Sequence, residues 1–540
     1  MSLTDTASFP TLGTAEVRAR LLARQETALI DVREEDPFAQ EHPLWAANLP
    51  LSRIELDAFR RIPRRDTVLV LYGTHDGEDL APRAAHALAA LGYTGVHLLA
   101  GGLEGWRAAG GELFRDVNVP SKAFGELVEH ERHTPSLAAG EVAALLAAKA
   151  DVVVVDARRF DEYRTMSIPT ATSVPGAELV LRVRELAPDP RTRVIVNCAG
   201  RTRSIIGTQS LVNAGLPNPV AALRNGTIGW LLAGQELDHG ATRRPPEPSP
   251  ATRATAVESA RAVAARAGVR PLPFAALAGL DTPDRTTYRL DVRTPEEYAA
   301  GHLPGFLSAP GGQLVQETDH HAPVRGARFV LDDTDGVRAH MSGSWLAQMG
   351  WEVHVLDDVP ADARTATGEA PADRAPLPEV PLIAPAALAR ALEAAGNDPA
   401  ALQVIDVNAS ADYVRGHVPG AWFAIRAQLP AALRVVPPAR RYVVTCGRGI
   451  LARFAAADIA AILGGAGDVA VLEGGNAAWA AAGLPLEAGE ARLAVPRTDR
   501  YRRPYEGTDA PRTAMQAYLD WEFGLVEQLG RDGTHHFQVI

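Results

Sequence analysis

Four short segments of this 540-residue chain share one pattern: "ALIDVREEDPF" around Asp31, "VVVVDARRFDEY" around Asp156, "YRLDVRTPEEY" around Asp291 and "QVIDVNASADY" around Asp406. Each is an apolar, β-branched run that ends in Asp and passes into a turn with acidic and aromatic residues. That is the signature of a buried strand entering a loop. A second apolar run follows at fixed spacing. Asp31 to Gly73, Asp156 to Cys198 and Asp291 to Asp333 are each 42 residues, and Asp406 to Cys446 is 40. A helical segment and a third apolar run come next, ending "GGLEGW", "NGTIGW" and "EGGNAAW" in three copies. The third copy stops short of this ending. Strand and helix alternating in this order predict parallel sheets with helices on both faces. The repeat of roughly 115–135 residues is a domain length, so the chain reads as four copies of one α/β domain.

Composition narrows the classes. The chain is 46% hydrophobic, carries a net charge of -11 and has no basic run, which excludes nucleic acid and anionic membrane as partners. No stretch approaches a membrane span, and "MSLTDTASFPTLG" lacks the features of a signal peptide. The two cysteines occupy equivalent points in separate repeats, so they are expected as free thiols in a reducing cytoplasm. "GATRRPPEPSPATRATA" (240–256) and "DDVPADARTATGEAPADRAPLPEVP" (357–381) read as linkers. Near the end, "AMQAYLDWEFGLVEQLG" (514–530) reads as one amphipathic helix with Met515, Tyr518, Leu519, Phe523, Val526 and Leu529 on its apolar face.

Chemistry concentrates in "VIVNCAGRTRS" (194–204). Cys198 follows a strand and precedes a helix, with Ala199, Gly200, Arg201, Thr202 and Arg203 between and Ser204 as an expected N-cap. Inward-turned amides and the helix N-terminus would make an anion-binding cup. The Cys198 thiol pKa is then expected to fall. Arg203 would add donors to an oxyanion, and Arg201 would do the same or set access at the rim. No histidine is placed as a base, so activation would be electrostatic.

With these features together, the chain resembles the rhodanese (thiosulfate sulfurtransferase) family. The resemblance rests on the "DVR" strand ends, "GHLPGF" (301–306), "GHVPGAW" (416–422), the Cys loop and the closing "GG…W", and it covers about 12–490. It implies four tandem rhodanese-like domains, each a mainly parallel sheet flanked by helices. The expected boundaries are 12–116, 136–240, 271–358 and 382–490, with linkers at 241–270 and 359–381 and a helical tail at 491–540.

By the same resemblance Cys198 is a persulfide carrier, residues 199–204 bind the anionic donor, and Asp156 with Arg158 supports the loop. Copy two departs from the family's "GH-x-P-G" with "MSIPTATSVPGAE" (166–178). Cys446, in "TCGRGILAR", is a second candidate nucleophile, similar to the less charged loop of mercaptopyruvate sulfurtransferases.

Copies one and three have lost the thiol. Gly73 stands in the first beside Asp76, Glu78 and Asp79, and Asp333 in the third, where Arg338 keeps the arginine position. Both are expected to be catalytically silent. The reading is therefore a sulfurtransferase with no cofactor or metal. It would take thiosulfate or a similar donor and pass sulfur to cyanide or to a thiol, on a small molecule or a thioredoxin-like protein. The alternatives are a mercaptopyruvate-type reaction at Cys446 or a non-enzymatic sulfur carrier. A Cys-dependent phosphatase is disfavoured, because C-x4-R is one residue shorter than a phosphate loop. A homodimer through the C-terminal helix is compatible with the sequence.

Overall fold

A computed structural model describes residues 9–75, 77–371, 373–396, 398–507 and 509–540. Asp76 therefore lies outside the described residues. Each sequence copy forms one five-stranded, all-parallel sheet, and all four share one strand order. In copy two the strands run across the sheet as Thr172–Ser173, Val152–Asp156, Arg193–Asn197, Val220–Leu223 and Ser136–Leu137. Copy one adds only a short antiparallel ribbon, Thr74–His75 against Glu78–Asp79, inside its loop. In copy three the strand Glu352–Asp357 is followed by the turn Ala361–Ala363, where the others have the helices Gly102–Ala108, Gly226–Leu232 and Gly475–Ala481.

Register explains the constant spacing. Asp31 pairs with Tyr72, Asp156 with Asn197, Asp291 with Asp332 and Asp406 with Thr445. In every copy the strand-end Asp thus lies beside the residue that precedes the loop. Its carboxylate ties the two strand ends together. Arg158 donates through its N–H and guanidinium to Asp156, at 2.9 Å from Nε and 2.8 Å from Nη2, and Asn197 Nδ2 donates to the same carboxylate at 2.9 Å. Copy four has Asn408 in place of the arginine, and Asn476 Nδ2 supplies the missing donor to Asp406 at 2.7 Å.

The copies are fused rather than strung. One continuous apolar cluster runs through copies one, three and four and takes in Leu525, Leu529 and Phe537 of the tail. Two segments depart from the sequence reading, and a third, between copies one and two, had none. Within 241–270, the helix Pro250–Arg266 starts at a Ser249 cap and buries Ala256, Ala260 and Val263. The prolines end at Pro250, and the alanine-rich stretch beyond them is strongly helix-forming. Residues 119–132, between copies one and two, form a mostly buried helix. The tail holds two helices, Arg512–Phe523 and Leu525–Asp532, parted at Gly524. Of the expected apolar face, Met515, Tyr518, Leu519 and Leu529 are buried, while Phe523, the last residue before the break, is 54% exposed.

Candidate active site

Cys198 ends the strand Arg193–Asn197 and is 2% exposed. Its S–H donates to Ser204 Oγ at 3.4 Å, and that hydroxyl donates to the Arg201 carbonyl at 2.8 Å. The helix begins at Thr202 with Arg201 as its cap, so Ser204 is not the N-cap but the third helical residue. Its backbone N–H is directed at the sulfur. The expected fall in thiol pKa does not occur. Burial pushes the Cys198 thiol up, and the Arg203 charge and the Ser204 hydrogen bonds only partly offset this.

The two loop arginines have fixed partners. Arg203 makes a two-pronged pair with Glu162 at 2.7 and 2.8 Å. Burial would raise the Glu162 carboxyl, but Arg203 holds it down at about 2. Arg201 is 4% exposed; it donates to Glu126 at 2.7 and 2.8 Å and to Asn225 Oδ1 at 3.1 Å, is also paired with Glu129, and lies over the Phe523 ring. It is therefore a strut between copy two and the helix 119–132, not a rim residue free to bind an oxyanion. Thr202 packs against Gly125, where a side chain would meet its Cγ2 at 2.9 Å.

The tail closes the loop from outside. A Cβ at Gly200 would lie 3.2 Å from Tyr518 Cε1 and 3.3 Å from Glu522 Oε2. Tyr518 donates to Glu522 Oε1 at 2.8 Å, while Oε2 is buried without a hydrogen-bond partner among the described residues. Burial, reinforced by Glu126, pushes the Glu522 carboxyl up to about 8. Close by, Lys122 pairs with Asp116 at 2.7 Å beneath Tyr505, Tyr518 and Trp521. Sequence reasoning did not assign Glu126, Lys122 or Glu522 to this site. The one available signal was that Lys122 is one of only two lysines.

The "GG…W" ending also finds its reason here. Gly226 and Gly475 both have left-handed backbone, and a Cβ there would fall 2.3 Å from the Cys198 carbonyl oxygen and 2.1 Å from that of Cys446. The chain leaving the strand Val220–Leu223, or Asp468–Leu472 in copy four, thus presses on the loop and donates to it, through Thr227 N to Cys198 O and Asn476 N to Cys446 O, both at 2.9 Å.

The other loops answer the question of an amide cup differently. Around Cys446, which is 5% exposed, the N–H groups of Arg448, Gly449 and Ala452 reach the sulfur. Burial still raises its pKa. Gly449 has φ 77°, which turns the amides inward. In copy three Gly336 has φ 73°, and the Asp333 carboxylate accepts from Gly336 N at 2.9 Å and Ala339 N at 2.7 Å. A side-chain anion occupies that cradle. Arg338 there pairs with Glu297 at 2.6 and 2.8 Å, as Arg203 does with Glu162.

A family model described as "Rhodanese-like domain" matches residues 14–109, 138–233, 276–358 and 385–482. A solved structure titled as a thiosulfate sulfurtransferase from Pseudomonas aeruginosa is 65% identical, with a TM-score of 0.96 over 98% of this chain and 100% of that one. A curated relative, an HTH-type transcriptional regulator of Mycobacterium tuberculosis, is 32% identical over 91 residues, 17% of this chain. The match spans only 39% of that regulator's length.

Proposed function

The chain belongs to the rhodanese-like domain family, and from that premise we propose that it transfers sulfane sulfur from thiosulfate through a persulfide on Cys198. It is a sulfurtransferase of the thiosulfate type, and the observation that carries this is the full-length likeness to the Pseudomonas aeruginosa enzyme. In the first half-reaction the Cys198 thiol loses its proton to water, and the Arg203 charge and the Ser204 hydrogen bonds favour the thiolate. The thiolate then attacks the outer sulfur of thiosulfate. The bond between that sulfur and the sulfonate breaks, and sulfite leaves with the electron pair. In the second, a cyanide ion or a thiolate attacks the terminal persulfide sulfur, and Cys198 leaves as thiolate. Arg203 contributes positive charge beside the sulfur rather than a free fork, because Glu162 takes its donors. Asp156 and Arg158 hold the strand ends from which the loop departs.

A second reading, sulfur transfer at Cys446 from a less charged donor, is favoured by the three amides around that sulfur. We place copies 12–116 and 271–358 outside the chemistry, since Gly73 and Asp333 cannot carry sulfur. The acceptor we favour is a thiol, small or on a thioredoxin-like protein. We set the reaction in the cytoplasm, because both cysteines are free. Among the described residues no helix is long and apolar enough to cross a membrane. The tail helix that suggested a homodimer docks on its own chain through Met515, Tyr518 and Leu519, which weakens that expectation.

Thiocyanate release from thiosulfate and cyanide tests the reading, with wild type, Cys198→Ala and Cys446→Ala side by side. Loss confined to Cys198→Ala is expected. Loss confined to Cys446→Ala would move the reaction to copy four, and phosphate-ester turnover without thiocyanate would overturn sulfur transfer altogether.

A further inference from the structure

Copies one, three and four and the tail segment 496–503 converge on a cleft of about 430 Å³ that the sulfur chemistry at Cys198 does not use. Its chemistry is one-sided. Glu34 lines it and is 6% exposed, with Oε1 buried and lacking a hydrogen-bond partner among the described residues. Asp319 Oδ1 and Asp499 Oδ1, of two further lining residues, are likewise buried and unpartnered among the described residues. The guanidinium groups that line the cleft already have acceptors of their own. Arg61 donates to the carbonyls of Asn48 and His320 at 2.6 and 2.8 Å, Arg53 to Asp57 at 2.8 Å and Arg426 to Glu55 at 2.9 Å, and Arg503 is paired with Glu506. The excess in this space is therefore of acceptors.

Glu34 is also out of pattern among the copies. It caps the helix Glu35–Gln40, at the position held by Arg159, Thr294 and Ala409 in the other three. Thr294 uses its side chain as a cap, accepting from Glu297 N at 3.2 Å, whereas Glu34 makes no cap bond and lines the cleft instead. Burial, with Asp499 nearby, pushes Glu34 up to about 7 against the opposing effects of a Ser52 hydrogen bond and the Arg53 charge. Asp499 is held in place by Ser410 N, which donates to Oδ2 at 2.7 Å and leaves Oδ1 for another donor. The tail is pinned beside it by Asp36 N to Thr498 O and Tyr501 N to Glu35 Oε1, both at 3.0 Å.

We propose that this cleft binds a small organic ammonium ion, its N–H groups shared among Glu34, Asp319 and Asp499. A cleft of this size accommodates a short aliphatic amine, and a cation with several donors satisfies all three orphan oxygens together. The site exists only where copies one and three meet copy four. It gives the two thiol-less copies a binding role distinct from sulfur transfer.

Calorimetric titration of the full-length protein with putrescine tests this. One putrescine bound per chain is expected, with affinity weakened at least about tenfold in Glu34→Gln. Asp319→Asn should weaken it in the same way, and 1,4-butanediol, of the same length but uncharged, should not compete. Thiosulfate turnover by both variants should match wild type, which shows that they are folded. Absence of putrescine binding to the wild type, equal binding by the two variants, or equal competition by the diol would overturn the proposal.

Discussion

The loops at Cys198 and Cys446 follow the same strand in the same sheet order, yet they surround their sulfur atoms by different means. Copy four is self-sufficient: a left-handed Gly449 three places after the cysteine turns the amides of Arg448, Gly449 and Ala452 onto the thiol. Copy two has Arg201 at that place with φ -119°, and the amide of Ser204, one turn into the helix, serves the sulfur. What it lacks locally it draws from elsewhere: Glu126 and Glu129 of the helix 119–132 hold Arg201, and Tyr518 and Glu522 of the tail cover Gly200. Copy three, with Gly336 in the left-handed form and Asp333 in the cradle, follows copy four. A loop of this type is thus either closed by its own glycine or closed by the rest of the molecule.

The sharpest break in the comparison is functional. Cys198→Ala should lower thiosulfate-dependent thiocyanate formation by roughly a thousandfold or more, the scale of removing a nucleophile. Cys446→Ala should leave most of it. Equal losses would mean that the two loops are not functionally distinct.

Next in size is the external support of copy two. Glu126→Leu strands a buried Arg201 with only Glu129 and Asn225, and should destabilise the fold by about 3 kcal/mol in denaturant unfolding. The Cys446 loop should not respond. A loss below about 0.5 kcal/mol, the scale of an exposed ion pair, would mean that Arg201 is not the strut described.

These two loops also mark what the sequence discloses. The strand-end Asp residues and the loops were legible, because ladder register fixes the 42-residue spacing and each strand carries its own apolar run. The left-handed glycines of "CGRG" and "DTDG", where copy two has "CAGR", were written in the sequence, though their conformation was not read from it. The closure of copy two was not. Arg201 meets a residue 75 positions away, and the Gly200 contact joins two ends of the fold with no local periodicity to announce it. The direction of the thiol pKa was misjudged for the same reason: desolvation belongs to the assembled packing, while the arginines and helix start are visible in eleven letters.

The tail contact supplies a smaller effect with a definite sign. The folded Glu522 carboxyl titrates at about 8 against an ordinary 4.5, chiefly through burial, so above pH 4.5 the folded state keeps a proton that the unfolded state releases. Stability should therefore fall as pH rises from 4.5 to 8 and level off beyond. Glu522→Gln removes that slope. Its advantage over wild type should grow with pH to on the order of 2 kcal/mol at pH 9, read from urea unfolding at pH 5, 7 and 9. A pH-independent difference would separate Glu522 from the closure of the loop.

The smallest effect tests the glycine itself. Gly449→Ala places a Cβ on a residue with φ 77°, 3.2 Å from the Leu472 carbonyl oxygen, at a cost of about 1 kcal/mol. The strain is relieved by turning the loop toward the form seen in copy two, which withdraws the amides of 448 and 449 from the sulfur. The thiolate then loses hydrogen bonds that favour it, so the midpoint of iodoacetamide reaction at Cys446 should move to higher pH. Cys198 in the same chain is the internal standard, its peptide quantified in the same digest with no change expected. If the Cys446 midpoint stays where it is in wild type, the left-handed glycine does not set the cradle, and the contrast between the two loops has another origin.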